Sequence, residues 1–266
     1  MTTIEFKDVS FGYKHDSLVL RDVNLTIDKP GYYCIIGPNG VGKSTIVKLI
    51  SKVNTVTSGE VLINGIDVKT MRYSDIAKVV SYVPAFANDL FSMNVIDTIM
   101  VGRYNHSKTG NEETNLKVVY KAMKMLQIED LGMRRFNELS AGQHQKVTIA
   151  RGLVQEPEIL ILDEPTANLD VKYQVYVNEL LRAIAEKLKI IVLTISHDLN
   201  ASAKYAHEVI MLAPPGVIHA MGTPEDVITE ENVTSVYGVN CKVIPDPDFE
   251  SPHVILGMSC DGGKMD

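Results

Sequence analysis

Features that would mark a secreted, membrane-spanning or nucleic-acid-binding chain are scarce in this sequence of 266 residues. Its three cysteines, Cys34, Cys241 and Cys260, are scattered, which argues against a disulfide framework or a zinc site. The net charge is −7 and no long basic run occurs, so we expect no nucleic-acid partner. There is no signal peptide, and the longest apolar runs, such as 159–162 and 190–195, have the length of buried strands. We therefore expect a cytosolic protein with no membrane span of its own.

The clearest motif is a glycine-rich loop between an apolar run at 32–36 and a helical pattern at 46–50. It has the Gly-x-x-x-x-Gly-Lys-Ser spacing of a phosphate-binding loop and comprises Gly37, Pro38, Asn39, Gly40, Val41, Gly42, Lys43, Ser44 and Thr45. Its glycines let several backbone N–H groups converge on one anion, and the following helix adds the positive end of its dipole. In this motif Lys43 reaches the terminal phosphates and Ser44 holds Mg²⁺. The sequence therefore predicts a site for a nucleoside triphosphate.

A second anion-binding surface is predicted at the start of another helix. The helical pattern that begins here is preceded by the segment Leu139, Ser140, Ala141, Gly142 and Gln143. Ser140 followed three residues later by Gln143 is a capping box, which makes Ser140 the expected N-cap. A capped helix start with a glycine nearby can bind an anion. One domain does not need two such surfaces for one phosphate tail unless the second serves another nucleotide.

Two strand ends carry residues that could act on the phosphates. An apolar strand at 158–162 delivers adjacent carboxylates, with Asp163 available for Mg²⁺ and Glu164 for a water molecule. A second apolar strand is followed by His197, which either reaches the γ-phosphate or is an incidental surface histidine. Tyr13 also has two interpretations, because its ring either stacks on a purine base or is half-buried at the end of a strand.

The periodicity of the N-terminal part indicates an antiparallel sheet. Residues 4–9 and 18–27 alternate apolar and polar positions, as strands with one wet face do. Asn64-Gly65 between apolar flanks is typical of a hairpin. Farther along, helical patterns at 95–102 and 112–127 mark a more polar, helical block.

We therefore predict an α/β fold with one domain over residues 1–240. In it, a P-loop core carries an N-terminal antiparallel β subdomain and an inserted α-helical subdomain at about 89–157. Residues 241–266 form a C-terminal extension with strand-like segments at 242–244 and 253–256, and the sequence assigns no role to it.

Together these motifs resemble the ATP-binding subunit of an ABC transporter. They stand in the order of that family: Tyr13, the loop 37–45, the segment 139–143, the strand 159–164, the segment 167–170 and His197. The resemblance covers at least residues 4–238 and implies a P-loop ATPase that forms a head-to-tail homodimer. It implies two ATP molecules at the dimer interface, each between the phosphate loop of one chain and the segment 139–143 of the other.

The resemblance also implies a role for each matching residue. Tyr13 would stack on adenine, while Lys43, Ser44 and Asp163 would bind the phosphates and Mg²⁺. Glu164 would be the general base for the attacking water.

The resemblance implies further roles within each chain and across the dimer. Ser140 and Gly142 would act across the interface, on the nucleotide of the partner chain. His197 would contact the γ-phosphate. Asp170 would help to couple the two sites.

Two positions depart from the family pattern. The segment 139–143 corresponds to the signature of the family, which normally reads Leu-Ser-Gly-Gly-Gln. Ala141 stands where this signature segment has glycine, and a backbone conformation reserved for glycine would be strained there. Ala85 stands where the family has a glutamine that touches Mg²⁺ and the attacking water and begins the loop facing the membrane subunit. The alanine side chain has no polar atom for these contacts, and Asn88 is the nearest residue whose amide could replace the glutamine.

The second half of the chain is similar to a narrower group, the importer ATPases for iron-siderophores, haem and cobalamin. The similarity rests on residues 92–103, 196–205, 222–228 and 231–239. It implies a peripheral protein on the cytoplasmic face of the membrane that binds integral permease subunits and serves an external substrate-binding protein indirectly. Zinc and manganese importer ATPases share part of the pattern. An alternative from another functional class is a soluble ATP-driven clamp that acts on DNA or ribosomes and is not coupled to a membrane. A third possibility is a generic P-loop kinase or GTPase, and the segment 139–143 argues against it.

Overall fold

The computed structural model describes residues 1–14, 17–85, 93–106 and 111–259. The strands in chain order are β1 (Ile4–Phe11), β2 (Leu20–Ile27), β3 (Gly31–Ile36), β4 (Ser58–Ile63), β5 (Ile66–Asp67), β6 (Val80–Val83), β7 (Ile159–Asp163), β8 (Ile191–Ile195), β9 (Glu208–Ala213), β10 (Val217–Gly222), β11 (Val239–Pro245) and β12 (Pro252–Ser259).

The α-helices are α1 (Lys43–Ile50), α2 (Tyr73–Val79), α3 (Val95–Met100), α4 (Glu112–Leu126), α5 (Ala141–Leu153), α6 (Val171–Leu188), α7 (Leu199–Tyr205), α8 (Pro224–Val227) and α9 (Glu230–Tyr237). Short 3₁₀ helices lie at Val101–His106, Glu129–Leu131 and Phe136–Glu138. The helix expected at 95–102 therefore ends as an α-helix at Met100 and continues as a tighter 3₁₀ turn.

A six-stranded sheet brings the motifs together. Its order is β10-β9-β3-β8-β7-β6, and only the edge strand β10 runs antiparallel to its neighbour. In register, Ile195 lies opposite Ile35 on one side and opposite Asp163 on the other. Because the carboxyl ends of parallel strands share one edge, the segments that follow β3, β7 and β8 meet there.

Two hydrophobic cores lie on the two faces of this sheet, and successive side chains of β3 belong alternately to one core and to the other. Tyr33 and Ile35 point into the core that contains α1, β1, β2 and β4. Tyr32, Cys34 and Ile36 point into the core built with α3 to α7. Successive side chains of a strand face opposite sides, so each face of β3 is committed to one layer.

The predicted N-terminal β subdomain is confirmed as a separate antiparallel sheet of order β2-β1-β4-β5. Its hairpin turns at Asn64 and Gly65, whose φ angles of 53° and 75° are those of the type I′ turn expected for Asn-Gly. The α/β fold is likewise confirmed. No helix in the described ranges has both the length and the apolar character needed to cross a bilayer.

Candidate functional site

The phosphate-binding loop has the backbone that its glycines predict. Gly37 and Gly42 have φ angles of 144° and 105°. A Cβ atom at Gly37 would lie 2.5 Å from the carbonyl oxygen of Leu212, so a side chain cannot be accommodated. Gly42 is the N-cap of α1, which begins at Lys43 and directs its first backbone N–H groups towards the loop. The loop and helix together form an anion cradle.

Lys43 crosses this cradle with a nearly buried side chain that is 6% exposed. Its Nζ donates to the carbonyl oxygens of Gly37 at 2.8 Å and Pro38 at 2.9 Å. Burial lowers the pKa of Lys43, while the carboxylates of Glu164 and Asp163 act in the opposite direction. The ammonium group is therefore held by the carbonyl oxygens of the loop, near enough to both carboxylates for their charge to act on it.

Asp163, at the end of β7, receives two hydroxyl donors. Ser44 Oγ donates to Oδ1 at 3.4 Å, and Tyr82 Oη donates to Oδ2 at 3.3 Å. Burial raises the pKa of the Asp163 carboxyl, and the charge of Glu164 raises it further, against the two hydrogen bonds. Tyr82 is absent from the sequence prediction. Its position within β6 gives no motif signal, because contact with Asp163 depends on the pairing of β6 with β7.

Glu164 and His197 contact each other directly. His197 Nε2 lies 2.7 Å from Glu164 Oε1, although the two residues are distant in sequence. Glu164 has a φ of 49°, a left-handed conformation that is costly for a residue with a side chain. With this backbone conformation, the carboxylate contacts the histidine. Of the two interpretations of His197, this contact favours a residue of the site over an incidental surface histidine.

Tyr13 lies beside the start of α1. Its ring is 60% exposed and meets the ring of Phe11 edge-on with centroids 4.9 Å apart. Its hydroxyl lies 3.5 Å from Thr45 Oγ1 and accepts a hydrogen bond from Asn54 Nδ2 at 3.3 Å. An exposed aromatic face next to the phosphate loop is suited to stacking on a base.

The segment 139–143 has the predicted capping box. Ser140 Oγ accepts from the Gln143 backbone N–H at 3.4 Å, and Gln143 Oε1 accepts from the Ser140 N–H at 3.1 Å. Ala141 is the first residue of α5 and has a helical backbone, so the strain considered for a non-glycine residue does not arise. Ser140 and Ala141 are exposed, and Leu139 packs partly against the core.

Gly142 connects this segment with the region after β7. A Cβ atom there would lie 2.5 Å from the Tyr173 ring, so only glycine allows this approach. The backbone N–H of Tyr173 in turn donates to Oδ1 of Asp170, the N-cap of α6, at 3.0 Å. Through Tyr173, Asp170 is thus connected with Gly142 in the first turn of α5. Ala85 is exposed after β6, and Asn88 lies outside the described residues.

Comparison with known proteins identifies the family. The family model described as ABC transporter matches residues 20–167. The uncharacterized ABC transporter ATP-binding protein MJ0089 of Methanocaldococcus jannaschii is 40% identical over 235 residues, 88% of this chain and 91% of that protein. The ferric enterobactin transport ATP-binding protein FepC of Escherichia coli K12 is 34% identical over 236 residues, 87% of each. The dimeric structure of MJ0796, a bacterial ABC transporter cassette, matches with a TM-score of 0.72 and 27% identity, covering 83% of this chain and 98% of that one. The chain belongs to the ABC transporter family and is an ATP-binding subunit whose ATPase activity is coupled to transport.

Proposed function

We propose that this subunit powers an importer of metal chelates, of the iron-siderophore, haem or cobalamin class. The observation that carries the ATPase part is the convergence of the phosphate loop, Asp163, Glu164 and His197 at one edge of the central sheet. The substrate class is supported by the similarity to FepC, whose name assigns it to ferric enterobactin transport. Residues 222–239 add support from the sequence pattern.

The oxygen atoms of Ser44 and Asp163 fit a magnesium ion. Both are hard donors, and they face each other across 3.4 Å at the end of β7. When bound, Mg²⁺ would neutralise charge on the β- and γ-phosphates. Lys43 adds a second positive charge to the same phosphates, and the backbone N–H groups of 37–45 bind their oxygens.

Glu164 accepts the proton of the attacking water in this proposal. Its hydrogen bond with His197 fixes the orientation of the carboxylate, and His197 also contacts the γ-phosphate. Tyr13 stacks on the adenine ring with the face that is exposed beside α1.

We propose a head-to-tail homodimer as the active form. Ser140, Ala141 and Gly142 begin a capped helix, and the first two are exposed, as a surface that binds the nucleotide of a partner chain must be. Leu139 and Gln143 fix the start of this helix, and Asp170 links the two sites through Tyr173. The match to a dimeric cassette supports this arrangement.

The remaining parts of the proposal concern partners and organisation. The subunit lies peripherally at the cytoplasmic face of a membrane, bound to integral permease subunits that receive substrate from an external binding protein. The ATPase domain spans residues 1–240, with a helical subdomain at about 89–157 that includes α3, α4 and α5. Ala85 begins the segment that would face the permease.

Affinity purification of the tagged chain from detergent-solubilised membranes tests the partner. We expect an integral permease to co-purify, whereas a soluble clamp would bring down no integral protein. Uptake assays in cells that carry Glu164→Gln then test the substrate class. Loss of ferric-siderophore, haem or cobalamin uptake supports the proposal, and loss of zinc or manganese uptake alone refutes it.

A further inference from the structure

Most of the C-terminal extension that the structure describes forms a hairpin, β11–β12, which is part of the main hydrophobic core. Val254 of β12 is 5% exposed and belongs to the core that contains α5, α6 and α7. The hairpin was predicted as two strand-like segments without a role, and its strands are confirmed. Its packing makes it a built-in element of the fold.

On the outer edge of this hairpin, the side chain of Asn200 pairs with the backbone of β12. The backbone N–H of Val254 donates to Asn200 Oδ1 at 2.7 Å, and Asn200 Nδ2 donates to the Val254 carbonyl oxygen at 3.2 Å. The Asn200 amide therefore pairs with β12 as a neighbouring strand would. Two hydrogen bonds between the same pair of groups restrain both their distance and their orientation.

Asn200 is three residues beyond His197 and lies in the first turn of α7. The buried residues of this helix, Ser202, Ala203 and Tyr205, come later. Leu199 in the first turn packs partly against the core, and the Asn200 hydrogen bonds add a directional link between that turn and the hairpin.

The segment that carries His197 is tied on both sides. The N–H of Ser196 donates to the carbonyl oxygen of Ile35 at 3.1 Å, which links it to the strand before the phosphate loop. Asp198 caps α7 by accepting from the Ala201 N–H at 2.9 Å. Since one side is tied to β3 and the other to α7, any shift in the first turn of α7 moves the histidine relative to the phosphate loop.

A cleft of about 570 Å³ also lies between the segment that carries His197 and the C-terminal hairpin. It is bordered by His197 and Asn200 on one side and by Val254 and Leu256 of the hairpin on the other. Tyr237, at the end of α9 just before the hairpin, lines it too. The C-terminal part thus borders the segment that carries His197.

We propose that the C-terminal hairpin β11–β12 sets the position of His197 for ATP hydrolysis, and that Asn200 is the positioning residue through which it acts. The inference rests on the role proposed above for His197. Asn200 does not touch the nucleotide in this scheme. It holds the first turn of α7 so that the imidazole stays in line with Glu164.

The test compares Asn200→Ala with Asn232→Ala in the full-length protein. Asn232 is a matched control, because its Nδ2 also donates to a backbone carbonyl, that of Val227, at 2.9 Å. Steady-state ATPase assays, ATP binding by fluorescence, thermal melting and amide hydrogen exchange are measured for both variants. His197→Ala and the double variant His197→Ala with Asn200→Ala complete the set.

Asn200→Ala is expected to lower kcat about tenfold or more, since a small misplacement of a catalytic group has effects of this size. Its ATP affinity should stay within about twofold of the unchanged protein, because binding does not need the histidine to be aligned. Amide exchange should accelerate at 196–202, and the change in Tm should match that of Asn232→Ala. The double variant should be no slower than His197→Ala alone, because both changes remove the same contribution.

Several results would overturn the inference. One is an Asn200→Ala protein with unchanged kcat. Another is a loss of kcat that multiplies with that of His197→Ala, which would show a route independent of the histidine. A third is a fall in Tm and ATP affinity that accounts for the whole loss. Should Asn200→Ala fail to fold, Asn200→Asp keeps the acceptor for the Val254 N–H and is expected to show a smaller loss of kcat with normal ATP affinity. Full activity of His197→Ala would instead refute the proposed role of the histidine, which separates the two failures.

Discussion

Replacing Tyr82 by phenylalanine would isolate one hydrogen bond at the proposed metal site. Each oxygen of Asp163 has its own hydroxyl donor, Ser44 for Oδ1 and Tyr82 for Oδ2. If Oδ1 serves Mg²⁺, the Tyr82 hydroxyl fixes the other oxygen and with it the rotation of the carboxylate. Tyr82→Phe removes this donor and leaves the ring, so no cavity forms beside β6.

The expected magnitude follows from the geometry. A hydrogen bond to a charged group contributes about 1.5–3 kcal/mol, and the 3.3 Å distance places this bond at the weak end of that range. Loss of a group that orients a metal-bound carboxylate typically costs 10–100-fold in metal affinity, and we expect about tenfold here. Burial raises the pKa of Tyr82, so its hydroxyl stays protonated and remains a donor at neutral pH.

The assay is the ATPase rate as a function of free Mg²⁺, with Mn²⁺ binding by electron paramagnetic resonance as a second readout. Tyr33→Phe is the matched control, because Tyr33 Oη donates to the Lys29 carbonyl oxygen at 2.9 Å, away from Asp163. Tyr82→Phe should shift the Mg²⁺ midpoint upward about tenfold and leave metal-free ATP binding unchanged. A midpoint equal to that of Tyr33→Phe would refute this account of Asp163.

Four further predictions concern the same site. Glu164→Gln should keep ATP binding, lower hydrolysis about 10²–10⁴-fold and accumulate as an ATP-bound dimer on size exclusion; unchanged turnover would mean that another residue is the base. Asp163→Asn, melted in EDTA, should raise Tm at pH 7 and not at pH 3, because burial raises the pKa of Asp163 and makes its ionised form costly in the folded chain above that pKa, whereas below the pKa of the unfolded chain the carboxyl is neutral in both states. An equal Tm difference at both pH values would contradict this. Ser140→Arg should abolish ATPase activity while the monomer still binds ATP, and activity that survives would argue against a shared site. Ala85→Gln should raise turnover about five- to 150-fold with little change in ATP affinity, because it restores a contact of about 1–3 kcal/mol that is made mainly in the transition state. If Ala85→Gln leaves turnover unchanged and Asn88→Ala strongly lowers it, that contact belongs to Asn88.

Much of the fold and of the motif positions could be predicted from the sequence, because local signals and tertiary structure agree. A tight hairpin turn needs positive φ angles at both central residues; Asn64 and Gly65 tolerate such angles, and both have them. The capping box of Ser140 and Gln143 is satisfied within three residues, so it does not depend on distant parts of the chain. Such features are local and therefore visible in sequence.

Other residues could not be found in this way, because their contacts depend on which elements become neighbours. Tyr82 reaches Asp163 only because β6 pairs with β7, and Asn200 reaches Val254 only because β12 packs on α7. Leu116 of α4 follows the helical periodicity of the apolar residues and is nevertheless 44% exposed, since the periodic pattern does not show where the buried face ends.

The charges of the site are coupled, and this affects how the variants are interpreted. Glu164 raises the pKa of Asp163, and both carboxylates raise that of Lys43 against the effect of burial. Glu164→Gln removes one negative charge beside Asp163, which favours ionisation of Asp163 but also weakens the attraction of the site for a cation. Mg²⁺ titration of the ATPase rate in Glu164→Gln separates a weakened metal site from a loss of chemistry. A loss of hydrolysis that persists at saturating Mg²⁺ comes from the missing base or from the lost pairing with His197. His197→Ala distinguishes these two causes, because it removes the pairing and leaves the carboxylate in place.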